Sequence, residues 1–249
     1  MIELLNVKKI FNDGSFNAVY ALKDINLKIE KGEFLILLGS NGSGKSTLIN
    51  IIAGNVTVSS GNVFIEEKKV NHLKDFERSK WIARIFQNPL MGTAPDLSII
   101  DNFRLASLRT QSKKLVLGIT KKFRSEVQEK IRLLNMGLEN KLDSAVGSLS
   151  GGQRQALTLS MAVMDEAKIL LMDEPTAALD PKSSELLMNN AVKFIHLFGF
   201  TTIFITHHLK DAHRFGNRVI QMHEGKIIRD IRGQEKEKLQ MNDLYEWFD

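Results

Sequence analysis

The residues with the most evident chemistry are Gly39-Ser40-Asn41-Gly42-Ser43-Gly44-Lys45-Ser46-Thr47, a complete G-x-x-x-x-G-K-[ST] phosphate loop. Glycines at these three positions let successive backbone N–H groups curl around phosphate oxygens, and a helix starting at the lysine adds the positive end of its dipole. Lys45 then reaches the β- and γ-phosphates, and the Ser46 hydroxyl offers a ligand for Mg²⁺. The ligand implied is a nucleotide polyphosphate. Hydrolysis needs a metal holder and a base, and Asp173-Glu174 supplies both at the end of the apolar run Ile169-Leu170-Leu171-Met172. Asp173 would hold Mg²⁺ directly or through water, and Glu174 would orient and deprotonate the attacking water.

These groups need strands that end at one edge of a sheet. Phe34-Leu35-Ile36-Leu37-Leu38 is apolar throughout, the pattern of a strand buried on both faces, and it runs straight into the phosphate loop. A helix follows from Lys45 through Leu48, Ile51 and Ile52, and Gly54 stops it. Ile25, Leu27 and Ile29 alternate with polar residues, so residues 1–30 read as an antiparallel β layer. Gly61-Asn62-Val63-Phe64-Ile65 and Trp81-Ile82-Ala83-Arg84-Ile85-Phe86 are further strands. From Asn88 to Ser148 the spacing turns helical, including a helix with Phe123, Val127, Ile131 and Leu134 on its apolar face that Gly137 terminates. Then come a helix from Gln153 to about Met164, a strand at 169–172, a helix after Asp180-Pro181 and a strand at 201–206. Asp180 is a good N-cap and Pro181 suits the first turn.

This alternation predicts an α/β fold: a P-loop nucleotide-binding core with a mostly parallel sheet, an antiparallel β layer and an inserted helical subdomain. The expected organisation is one domain over 1–249. Residues 1–87 and 149–231 form the core, 88–148 the helical subdomain, and 232–249 a C-terminal tail whose Leu244, Tyr245, Trp247 and Phe248 anchor a terminal helix. A composition 43% apolar over 249 residues supports a sizeable core. No cysteine is present, which excludes disulfides and thiolate metal sites. No apolar run approaches the ~20 residues of a membrane helix, and the N-terminus lacks the apolar stretch of a signal peptide. Lys plus Arg number 34 against 29 Asp plus Glu, a net charge of +5 that does not by itself choose a partner. The short basic groups Lys113-Lys114 and Lys121-Lys122-Phe123-Arg124 are scattered, and the second reads as the solvated side of its helix.

Leu149-Ser150-Gly151-Gly152-Gln153 sets the class. Ser150 caps a helix starting near Gln153, and two glycines leave backbone N–H groups bare for a second anion. With this pentapeptide the chain resembles the ATP-binding-cassette family, whose signature it is, over nearly its whole length. In that family the signature of one subunit faces the phosphate loop of another, which implies an ATP-dependent homodimer enclosing two ATP molecules. The resemblance also implies roles by position. Gln87 would sense Mg²⁺ and the attacking water, Asp180 would lie in the loop touching the partner subunit, and His207 rather than His208 would contact the γ-phosphate. Phe11 would stack on adenine, in preference to Tyr20.

The resemblance therefore implies ATP and Mg²⁺ as cofactors and an ATPase at the cytoplasmic face of the cell membrane. It would drive separate integral membrane permease subunits, with an extracytoplasmic solute-binding protein as a further partner and no nucleic acid. Pro89-Leu90-Met91-Gly92-Thr93-Ala94-Pro95 and Met222-His223-Glu224-Gly225 look like importer cassettes for amino-acid-like or small organic solutes. The alternatives are the motor of an exporter or lipoprotein-release system, and a soluble cassette ATPase acting on nucleic acid or the ribosome.

Overall fold

Five consecutive apolar residues are buried completely only where both faces of a sheet are covered, and Phe34–Leu38 is buried along its whole length. The computed structural model describes residues 1–108, 118–164 and 167–248. They fall into two units, residues 1–78 with those from 200 onward, and residues 79–199. Elements run in the order β1 (Ile2–Phe11), β2 (Val19–Ile29), β3 (Phe34–Leu38), α1 (Lys45–Ala53), β4 (Ser60–Ile65), β5 (Lys68–Lys69), α2 (Asp75–Arg78) and β6 (Ile82–Ile85). There follow α3 (Ile99–Ser107), α4 (Lys121–Arg132), α5 (Gly151–Ala162), β7 (Ile169–Asp173), α6 (Pro181–Phe198) and β8 (Thr201–Ile205). The chain ends with α7 (Leu209–Arg214), β9 (Arg218–His223), β10 (Lys226–Arg232), α8 (Gln234–Lys238) and α9 (Met241–Glu246).

The first unit holds an antiparallel sheet in the order β2-β1-β4-β5, as the alternation of residues 1–30 predicts, and the strands β10-β9-β3-β8. β3 is central among these four, parallel to β8 on one side and β9 on the other. The β9–β10 hairpin was not expected. Glu224 (φ 45) and Gly225 (φ 77) form its two-residue turn, both left-handed as a type I′ turn requires. A Cβ on Gly225 would lie 2.8 Å from the Ala21 carbonyl, so the turn closes against β2 only as glycine. α1 ends at Gly54 in the left-handed conformation. Its last carbonyls, those of Ile51 and Ile52, accept from the buried Arg78 guanidinium at 2.7 and 3.0 Å.

In the second unit β6 and β7 pair in parallel from Ile82↔Ile169 to Ile85↔Met172. α5 packs against β6 and against α3, α4 and α6. Val127, Ile131 and Leu134 are buried, as their spacing predicts. Lys121 and Lys122 are exposed and Arg124 pairs with Asp143, so that basic group is a solvated face. Lys113-Lys114 lie outside the described residues.

Two expectations are corrected. α4 ends at Arg132 and not at Gly137, because Asn135 already takes the left-handed conformation (φ 54). Gly137 instead precedes a single 3₁₀ turn. At the C-terminus Leu244 is fully buried, but Tyr245 and Phe248 are exposed. A helix as short as α9 offers one face to its support, so neighbours of an anchoring residue point outward.

Candidate functional site

Each unit presents its candidate site residues by the same device: two parallel strands end within a residue of each other, and the candidates lie just past their last pair. In the first unit Leu37 of β3 pairs with Ile205 of β8, so Gly39 and His207 both lie two residues beyond it. The neighbouring strands are ~4.8 Å apart, which puts the phosphate loop and His207 at one edge. In the second unit Ile85 of β6 pairs with Met172 of β7, and Gln87 and Glu174 lie two residues beyond. There Gln87 Nε2 donates to Glu174 Oε2 at 3.4 Å.

The phosphate loop follows from its glycines. Gly39 (φ 153), Gly42 (φ 79) and Gly44 (φ 102) occupy conformations that side chains avoid. A Cβ on Gly39 would fall 2.4 Å from the Met222 carbonyl oxygen, and one on Gly44 would fall 2.6 Å from that of Ala21. Ser40, Asn41 and Gly42 are exposed at the tip, where the Ser43 N–H donates to the Ser40 carbonyl at 3.2 Å. Lys45 is nearly buried, and its ammonium donates to the carbonyls of Gly39 at 2.8 Å and Ser40 at 2.9 Å. Ser46 is exposed and Thr47 half-buried on the first turn of α1. The Ser43 hydroxyl is buried without a hydrogen-bond partner among the described residues. A buried hydroxyl left in this state has a free-energy cost that an incoming anion would relieve.

His207 is exposed, its ring tilted against that of His208 at 4.1 Å. The two histidines differ in what their backbone does. His208 begins α7 as its N-cap, and its N–H donates to Thr206 Oγ1 at 3.0 Å. Thr206 Oγ1 in turn donates to Asp211 Oδ2 at 3.3 Å, and burial pushes the Asp211 carboxyl above its ordinary range. Phe11 is paired with Val19 and Tyr20 with Ile10 in adjacent register positions, so the two aromatics lie on opposite faces of the ribbon. Tyr20 lines a cavity of about 680 Å³ with Lys8, Leu22 and Lys226, whereas Phe11 sits half-open beneath the Lys9 ammonium at 4.8 Å.

In the second unit Glu174 itself is left-handed (φ 45), a strained state costing ~1–3 kcal/mol that is concentrated at functional positions. Asp173 lies 4.0 Å from the Arg84 guanidinium. Ser150 is the N-cap of α5, and the helix begins at Gly151, so Gln153 is its third residue rather than its start. The two close a capping box. Gln153 N–H donates to Ser150 Oγ at 3.3 Å, and Ser150 N–H to Gln153 Oε1 at 3.1 Å. Gly152 has a second role beyond bare N–H groups. A Cβ there would lie 3.0 Å from Ser183 Cβ, so the glycine admits the first turn of α6 beside that of α5. Asp180 caps α6 by accepting from the Ser183 N–H at 3.0 Å, and Ser183 holds its carboxyl below the usual range. Sequence reasoning missed Gln155, buried on α5, whose Nε2 donates to the Phe86 carbonyl at 2.6 Å and steadies the strand leading to Gln87. A polar residue on the apolar side of a helical pattern was the signal.

Residues 22–177 match the family model described as ABC transporter. The chain belongs to the ABC transporter family. Over 254 residues the cassette is 36% identical to the tyrosine transport ATP-binding protein of Clostridioides difficile, an alignment covering 100% of this chain and 99% of that protein. It is 34% identical over 251 residues to the phosphonates import ATP-binding protein PhnC of Lactobacillus acidophilus, covering 98% and 94%. A solved ATP-binding cassette described as a dimer in a post-hydrolysis state bound to ADP and Pi matches with a TM-score of 0.80 at 31% identity, covering 93% of this chain and 98% of that one. The cassette is an ATP-binding ATPase with the family's α/β fold. No helix among its described residues is long and apolar enough to cross a membrane.

Proposed function

We propose that this cassette is the peripheral, cytoplasmic-face motor of an importer for an amino-acid-like solute, dimerising on ATP to drive separate membrane-spanning permease subunits. The observation that carries the motor is the Gln87–Glu174 hydrogen bond, which joins a water-sensing amide to a general base at the end of paired strands. In this reading Lys45 and the loop N–H groups grip the β- and γ-phosphates, Phe11 stacks on adenine, and His207 holds the γ-phosphate. Among the described residues no group of three or more His, Cys, Asp or Glu side chains could hold a metal. Ser46, Gln87 and Asp173 are hard oxygen donors, and Mg²⁺ commonly takes its remaining ligands from phosphate and water. The metal would neutralise charge on the transferring phosphoryl group. Glu174 would take the proton of the attacking water, and the turns at Ser150-Gly151-Gly152-Gln153 and Asp180 would meet the partner subunit.

Import of an amino-acid-like solute is supported by the full-length similarity to the tyrosine transport protein. The phosphonate import relatives favour a second reading of the solute within the same mechanism. Exposed Leu90 and Met91, just past Gln87, are apolar enough to receive a permease helix. An extracytoplasmic binding protein would deliver the solute. The test is Glu174→Gln, which keeps shape and hydrogen bonding but removes the base. It should bind ATP, form a dimer in light scattering, and hydrolyse ATP at least ~100-fold more slowly. Wild-type turnover by Glu174→Gln would refute the motor. Uptake of tyrosine or of an alkylphosphonate by vesicles holding the co-purified permease decides the solute, and uptake of neither would refute both readings.

A further inference from the structure

His207 stands between a strand that the core holds tightly and a six-residue helix, α7, that is too short to hold itself. The C-terminal segment holds the far end of α7. Lys236 of α8 is nearly buried, and its ammonium donates to the His213 carbonyl, in the last turn of α7, at 2.8 Å. α9 packs against α7, where Ala212 and Leu244 are fully buried. The segment is itself fastened to the β9–β10 hairpin. Buried Gln221 donates to the Trp247 carbonyl at 2.6 Å, and the Arg229 guanidinium lies 5.3 Å over the Trp247 ring. At its other end α7 is tied to β8 by the bonds of Thr206 to His208 and Asp211.

A buried ammonium is an expensive way to pack a helix. Burial lowers the Lys236 pKa, so the charged form is disfavoured where it sits, and a methionine would fill the same space without that cost. What methionine lacks is the directional bond to the α7 carbonyl, where a cation also meets the negative end of the helix.

We propose that the segment Gln234–Trp247 sets the position of His207, with Lys236 as the positioning residue acting through α7. The inference rests on the reading of His207 as the γ-phosphate contact. Displacements of ~1 Å far from the chemistry cost up to ~100-fold in rate. Lys236→Met should therefore lower kcat for ATP by about 10- to 100-fold. KM should stay unchanged, because the phosphate loop and Lys45 are untouched, and thermal stability should fall only slightly, since the donor lost to the His213 carbonyl is offset by removal of the buried charge. Lys236→Arg, which restores a donor, should recover much of kcat. In a His207→Ala background Lys236→Met should cost nothing further, since two residues acting through one effect are not additive.

An unchanged kcat in Lys236→Met overturns the proposal, as does a kcat that falls only in step with lost stability. An additive loss in the double variant overturns it too, because Lys236 would then act elsewhere. Normal turnover in His207→Ala would instead sink the reading of His207, so the two failures are told apart.

Discussion

Ser150→Asp separates the architectural use of Ser150 from its proposed use at a partner's nucleotide. A serine hydroxyl accepts through oxygen and donates one proton. The capping box uses the acceptor, because Oγ receives the Gln153 N–H, which leaves the proton to point at an incoming anion. Aspartate caps helices as well as serine and adds a favourable charge at the helix start, so α5 should keep its stability within ~0.5 kcal/mol. The carboxylate would however stand where the γ-phosphate of the other subunit is gripped. Two unit charges ~4 Å apart repel by ~4 kcal/mol at an effective dielectric of 20. Ser150 is exposed, so salt screening reduces this to ~2 kcal/mol, still more than tenfold per site and squared over two equivalent sites. In a Glu174→Gln background, size-exclusion chromatography with light scattering should show the ATP dimer lost at tens of micromolar, a working range set by a combined weakening of about 1,000-fold. The melting temperature and ATP binding by each monomer should persist. A Glu174→Gln/Ser150→Asp protein that dimerises on ATP as well as Glu174→Gln would refute the placement of this turn against phosphate.

Arg78→Met keeps the apolar stem but removes the guanidinium from the carbonyls of Ile51, Ile52, Val70 and Leu73, of which Ile51 and Val70 keep the N–H groups of Gly54 and Leu73, and should cost ~2–4 kcal/mol in urea unfolding; a loss below ~1 kcal/mol would show that water replaces it. Asp211 titrates in the opposite sense to a salt-bridged acid. Its folded pKa is raised above the ordinary 3.8 by burial, against the pull of His208, Thr206, Arg214 and His207. The folded state then binds the proton more tightly, so its contribution is present below pH 3.8 and is lost as pH rises through the raised value. Asp211→Asn should melt higher than the parent at pH 7, with the gap closing as pH falls towards 4. A gap that does not vary with pH would contradict burial as the cause.

The local chemistry was legible in the sequence because it is written over short spans. Gly39 to Thr47 must form one loop, since three glycines, a lysine and a hydroxyl at that spacing follow an apolar strand. Ser150 with Gln153, and Asp180 with Pro181, announce helix starts because a cap and its N–H partner are three residues apart. Runs such as 34–38 and 169–172 declare buried strands by the absence of polar alternation. What the sequence could not show depends on contacts between distant positions. Gln87 meets Glu174 only because β6 and β7 pair in one register, and β3 lies beside β8 and β9 through crossovers that no short window encodes. Phe11 and Tyr20 part to opposite faces through register shifts in β1, which alternation alone does not count. In the tail the sequence offers Leu244, Tyr245, Trp247 and Phe248 as anchors, yet the charged Lys236 is also buried there, against α7. Charge in a sequence predicts exposure until a folded partner supplies the acceptor, and that partner lies 23 residues away at His213.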